Sequence, residues 1–214
     1  MFRKFLRKYI LNFKYGVVKY ETLRSFFEEF IKKEMPTEAV NISGQIDWET
    51  WVNAPGFPPV QNNFTNKYAK EVEDMVALFY ANKLPENFVD IFKGWFTLLK
   101  QDFLNRIKNS QKQLTDEQYI YLSDILNLKT GYDVEVSTLY YLIILGLGKT
   151  LREDIIDNFV DFLGKHGRIN YIRPLYNAFY KRDKKKALET LNKYRNFYHA
   201  TIIKYIELDF KALG

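Results

Sequence analysis

The sequence predicts an all-α fold, an α-solenoid built as a right-handed coil of paired antiparallel helices. Apolar residues recur three or four apart through most of its 214 residues, the spacing that gives a helix one apolar stripe. No segment alternates apolar and polar residues as a half-buried strand does. The breaks between periodic runs are mostly short, so successive helices should return beside one another.

The first run, over 2–14, sets Phe2, Phe5, Leu6, Tyr9, Ile10 and Phe13 on one face. A second, over 21–33, carries Leu23, Phe26, Phe27, Phe30 and Ile31 and closes before Pro36. Asp47 is a good N-cap for a short helix bearing Trp48 and Trp51, which Pro55 and Gly56 end. Pro55, Gly56, Pro58 and Pro59 then deny the chain a regular element between Asn53 and Asn63 and predict an ordered strap. Thr65 is placed to cap a helix running to about Lys83. Further helices are expected at 87–109, 116–128, 134–146, 151–165, 172–181, 184–197 and 200–212. Thr115 with Gln118 and Thr150 with Glu153 have capping-box spacing, and Asp183 precedes another periodic run. Arg173 and Pro174 are expected to open the 172–181 helix, since proline is tolerated in a first turn. Paired helices in series suggest layering of the armadillo or HEAT kind, although no repeat of fixed period is present. The whole of 1–214 reads as one helical domain with the strap, 53–63, inside it.

Composition narrows the chemistry. The chain has no cysteine, which excludes disulfides, thiolate metal sites and cysteine nucleophiles and suits a reducing compartment, the cytoplasm. Charges interrupt the first ten residues, so no signal peptide is read there. The apolar run from Leu139 to Leu145 falls far short of the roughly 20 residues a membrane span needs. The net charge of +6 is mostly dispersed. Its two clusters, Arg3, Lys4, Arg7, Lys8 and Lys181, Arg182, Lys184, Lys185, Lys186, read as solvated helix faces, which argues against nucleic acid as partner.

Catalytic patterns fail one by one. Gly146-Leu147-Gly148-Lys149-Thr150 lacks the first glycine of a phosphate-binding loop, where Ile143 stands, and the strand that should precede it. His166 and His199 are the chain's two histidines and are too far apart for a zinc-binding helix motif. The acid pairs Glu28-Glu29, Asp116-Glu117 and Asp154 with Asp157 sit where exposed faces or first turns accept acids. One segment remains: Gly167-Arg168-Ile169-Asn170-Tyr171-Ile172-Arg173-Pro174-Leu175-Tyr176 sets an arginine at a helix junction, where its planar fork can meet a carboxylate with two parallel hydrogen bonds.

That segment is one of three blocks that together resemble the C-terminal domain of leukotriene A4 hydrolase and its aminopeptidase relatives. The others are Phe2-Arg3-Lys4-Phe5-Leu6-Arg7-Lys8-Tyr9-Ile10 and Ile46-Asp47-Trp48-Glu49-Thr50-Trp51-Val52-Asn53-Ala54-Pro55-Gly56-Phe57-Pro58-Pro59. The resemblance implies an all-α coil that closes one side of a substrate cavity. It also implies that the zinc ion, with its His-Glu-x-x-His ligands, lies on a catalytic domain outside this chain, reached in cis or in trans, so that the chain itself binds no cofactor. The substrate would be a peptide or lipid epoxide with a free carboxylate. The family arginine that meets this carboxylate falls on Arg168, and the lysine usual two positions later is Asn170. Val52 and Phe57 fall at the strap beside the cavity's apolar end, with Trp48 and Trp51 read as anchors of the strap. The alternative is a stand-alone helical scaffold for protein–protein interaction.

Overall fold

The computed structural model describes residues 1–129, 131–149 and 151–214, and no strand occurs among them. The expected capping box at Thr150 and Glu153 lies outside the described residues. The chain divides into two units, Met1–Phe64 and Thr65–Gly214.

The first unit holds α1 (Phe2–Phe13), α2 (Tyr20–Glu34), α3 (Ala39–Gln45) and α4 (Trp48–Asn53). Its core is small and aromatic. Phe5 of α1 meets Phe27 and Phe30 of α2 edge-on, with ring centroids 5.3 and 5.4 Å away. Outside this core Lys4 and Lys8 both reach Glu34, and those hydrogen bonds hold its carboxyl at about 2. Asp47 caps α4 as expected, its carboxylate accepting from the Thr50 amide at 3.0 Å. Trp48 packs on Phe27 at 6.1 Å, whereas Trp51, expected as a second anchor, is half exposed. Gly56 bends that strap with φ +99°, a conformation that side-chain-bearing residues avoid. The short α3 escapes sequence reading because Ala39-Val40-Asn41-Ile42-Ser43-Gly44-Gln45 mixes poor helix formers with a weak stripe.

The second unit runs through α5 (Lys67–Tyr80), α6 (Phe88–Gly94), α7 (Thr97–Asn109), α8 (Asp116–Ile120), a π-helical turn (Tyr121–Ile125), α9 (Val134–Leu147), α10 (Glu153–Lys165), α11 (Ile169–Arg182), α12 (Lys184–Tyr194) and α13 (Ala200–Leu213). Alternate helices pack together in series: α5 on α7, α7 on α9, α9 on α11, α11 on α13. The intervening helices form their own contact, α10 on α12. Paired helices layer in this way when each pair buries its stripe against the next. Gly164 lets α10 and α12 approach, since a Cβ there would stand 2.4 Å from the Tyr194 ring.

Four expectations change at the level of single turns. Asn66, not Thr65, caps α5, its side-chain oxygen accepting from the Tyr68 and Ala69 amides at 3.0 Å. The helix expected over 87–109 breaks after Gly94, where the backbone of Trp95 and Phe96 is extended. The break turns the Trp95 indole into the core, and its N–H donates to Glu71 at 2.8 Å. The run from 116 becomes π-helical at Tyr121, with the Leu126 amide bonding the Tyr121 carbonyl five residues back at 2.8 Å. Finally, α11 starts at Ile169, so Pro174 lies in its second turn rather than its first. Pro174 has no N–H for the Asn170 carbonyl, and the first turn is held instead by the Arg168 carbonyl, which accepts from Tyr171 and Ile172 at 3.0 and 3.1 Å.

Candidate substrate-anchoring site

Arg168 is the N-cap residue of α11, with an extended backbone (φ −77°, ψ 124°) and a solvent-exposed side chain. Its Nη1 donates to the Tyr171 hydroxyl at 3.0 Å, and its guanidinium carbon lies 5.1 Å from the centre of that ring. Tyr171 in turn donates to Glu135 Oε1, in the first turn of α9, at 2.6 Å. The hydrogen bond to Glu135, followed by burial, raises the Tyr171 pKa, so the phenol stays protonated and keeps both bonds. No other hydrogen bond to the Arg168 guanidinium is made among the described residues, so its Nε–Nη2 edge has no protein partner there. That edge can clasp a carboxylate with two parallel bonds. Asn170, exposed on the first turn of α11, lies two residues on and can add a hydrogen bond but no charge.

Arg173 shows what an arginine of the same helix looks like when it is not available. Its Nε and Nη2 donate to both oxygens of Asp209 on α13 at 2.7 and 2.8 Å, and Asn177 adds a third bond to that carboxylate at 2.7 Å. The Arg173 hydrogen bonds hold the Asp209 carboxyl below its ordinary value. Sequence spacing does not distinguish this arginine from Arg168. A comparable clamp joins Arg152 to Asp124 and Asp154, with Lys129 on the same two acids, so Asp154 with its expected structural role is spent on fold.

Val52 and Phe57 belong to the first unit. Phe57 is 94% exposed, and with Trp51, Pro58, Val60 and Phe64 it lines a groove of about 420 Å³ along the strap. Val52, on α4, is 43% exposed and is not part of that lining. Each of the two pairs, Val52 with Phe57 and Arg168 with Asn170, thus sits within a different unit.

The donors present do not fit a zinc ion. No group of three or more His, Cys, Asp or Glu residues comes together among the described residues. His166 ends α10 with its ring 4.3 Å from Phe162, and burial lowers its pKa. His199 is the N-cap of α13, its Nδ1 accepting from the Thr201 amide at 3.2 Å. Nor is any helix among the described residues long and apolar enough to cross a membrane.

Residues 95–210, which include α11 and Arg168, match the family described as leukotriene A4 hydrolase, C-terminal. Leucine aminopeptidase 2 of Neosartorya fischeri is 30% identical over 210 residues, covering 97% of this chain and 33% of the relative. The enzyme of the same name from Aspergillus fumigatus is 28% identical over 212 residues with the same coverage, 97% and 33%. Native leukotriene A4 hydrolase from Saccharomyces cerevisiae superposes with a TM-score of 0.75 at 23% identity, over 98% of this chain and 35% of that one. The yeast hydrolase in complex with bestatin gives 0.74 at 20% identity, over 98% and 36%. At such identities the structural likeness speaks to fold. The chain spans about a third of the length of the curated relatives it matches.

Proposed function

The chain belongs to the leukotriene A4 hydrolase C-terminal family, and we propose that it is the accessory helical part of a larger zinc aminopeptidase or leukotriene A4 hydrolase-like enzyme. It forms one wall of the substrate cavity, and Arg168 holds the free carboxylate of a peptide or lipid-epoxide substrate. The zinc ion and the bond-breaking groups reside on a catalytic domain joined in cis or supplied in trans, so the chain alone hydrolyses nothing. Val52 and Phe57 meet the apolar end of the substrate. Absence of cysteine suits the reducing cytoplasm as the place of action.

The supporting observation is the open Nε–Nη2 edge of Arg168, on a helix N-terminus inside the family-matched segment. A charge-assisted pair of this kind contributes about 1.5–3 kcal/mol, enough to set the register of a substrate without taking part in its chemistry. Asn170 supplies a neutral hydrogen bond where a second cation would add long-range attraction.

Aminopeptidase activity on an aminoacyl-anilide with zinc present, measured for this chain and for the product of its full reading frame, tests the division of labour. Activity in the longer product alone is expected. Cleavage by the 214-residue chain by itself would sink the reading, and inactivity of both would turn it toward the scaffold. In the longer enzyme, Arg168→Ala should raise KM for a free-carboxylate tripeptide about tenfold to a hundredfold and leave the C-terminally amidated peptide unchanged.

A further inference from the structure

Arg168 is exposed and flexible by type, yet an anchor must stand still before its ligand arrives. An unrestrained arginine gives up substantial rotamer entropy each time it is ordered, and that loss comes directly off affinity. The chain supplies a restraint that the reading of Arg168 does not itself require. Tyr171, on the same turn of α11, accepts from Arg168 Nη1 at 3.0 Å and donates to Glu135 Oε1 at 2.6 Å. The hydroxyl is used once in each direction, so each bond polarises the other. Glu135 is itself held in the first turn of α9, where the helix N-terminus favours a carboxylate.

We propose that Tyr171 and Glu135 are positioning residues for Arg168, forming a relay that fixes Nη1 and presents the Nε–Nη2 edge to the substrate carboxylate. The proposal rests on the reading of Arg168 as that carboxylate's anchor. Its chemistry is specific about the intervening hydroxyl. Were Glu135 to bond Arg168 directly, it would occupy the donors the substrate needs, as Asp209 does at Arg173. A phenol between them transmits orientation while leaving one bidentate edge vacant. The relay also places a negative charge behind the single arginine, and Asn170 adds no cation. The anchor therefore selects a carboxylate by the geometry of its two bonds rather than by a strong positive field.

Tyr171→Phe separates these roles, because it keeps the ring under the guanidinium and both charges and removes only the hydroxyl. The side-chain Nε–H resonance of Arg168, identified by its loss in Arg168→Ala, can be followed by NMR in the 214-residue chain. In the wild type this group should show restricted motion, and N-acetylglycine should shift it while N-acetylglycinamide does not. In Tyr171→Phe, with helicity checked by circular dichroism, the group should move like a free surface arginine and bind N-acetylglycine roughly threefold to tenfold more weakly. Unchanged mobility in Tyr171→Phe would overturn the relay, whatever the ligand does. If mobility responds but N-acetylglycine leaves the wild-type resonance unmoved, the anchor reading fails and the relay loses its purpose.

Discussion

Arg168 and Arg173 stand five residues apart at α11 and meet different partners. Arg173 gives both donors of its bidentate edge to Asp209, with Asn177 on the same carboxylate, and so ties α11 to α13. Arg168 gives one nitrogen to a neutral hydroxyl and keeps that edge open. The difference lies in neither residue. It lies in which partner the neighbouring helix brings within reach: a carboxylate directly against Arg173, and a carboxylate screened by a phenol at Arg168. The fold orients Arg168 without saturating its donors.

Several substitutions probe that contrast. The largest effect on stability should come from the buried face that holds both arginines in place. Phe179 on α11 has no exposure and meets Phe159 of α10 edge-on at 5.1 Å, so Phe179→Ala should lower the free energy of unfolding by about 3–5 kcal/mol in a urea melt. Arg168→Ala comes next in size but on a different observable: the rise in KM set out above, with unfolding free energy within about 0.5 kcal/mol of wild type, as for an exposed residue that supports no packing. A large loss of stability in that variant would make Arg168 a structural cap and erase the contrast. Arg173→Ala should reverse the pattern, lowering the melting temperature at pH 7 while leaving carboxylate-peptide affinity unchanged.

The smallest effect is in the pH dependence of that last variant. Asp209 has a depressed pKa in the folded protein, caused chiefly by Arg173. A depressed carboxylate contributes stability above its unfolded value, about 4, and loses it as pH falls through the lower folded value. The melting-temperature difference between wild type and Arg173→Ala should therefore be full at pH 7 and shrink below about pH 4. A difference independent of pH would mean that Arg173 acts through the packing of its aliphatic stem, or through its guanidinium stacked 5.0 Å from the Tyr205 ring, rather than through Asp209.

Much of the architecture could be read from residue spacing because stripe and cap are local. Phe2 to Phe13, Tyr20 to Glu34 and Ala200 to Leu213 form helices within a residue or two of expectation. At Thr115 and Gln118 the reciprocal box is complete, and Asp183 caps α12 through the Lys186 amide at 2.9 Å. What spacing missed is where tertiary demand overrode local preference. The Trp95 indole gains a buried site among Phe88, Phe92 and Phe103, and that gain breaks a run which otherwise reads as one helix. The π-helical turn at Tyr121 inserts one residue into a continuous pattern, and nothing in a single sequence marks that insertion. Pro174 invited a helix start at Ile172 because proline is best tolerated in a first turn, yet the helix tolerates it one turn later.

Sequence by itself determined the helical class, the caps at Asp47, Thr115 and Asp183, the end of helix at the prolines after Asn53 and, through resemblance, the segment in which an anchoring arginine should lie. Those properties depend on neighbours within a few positions, and such neighbours are always in contact. Only the tertiary structure decided which of Arg168 and Arg173 spends both Nε and Nη2 on a carboxylate. Glu135 and Asp209 lie 36 residues from Tyr171 and Arg173, respectively, and only the packing of α9 and α13 against α11 brings them there. A charge pattern states which partners exist; the distance across a helix interface states which of them meet.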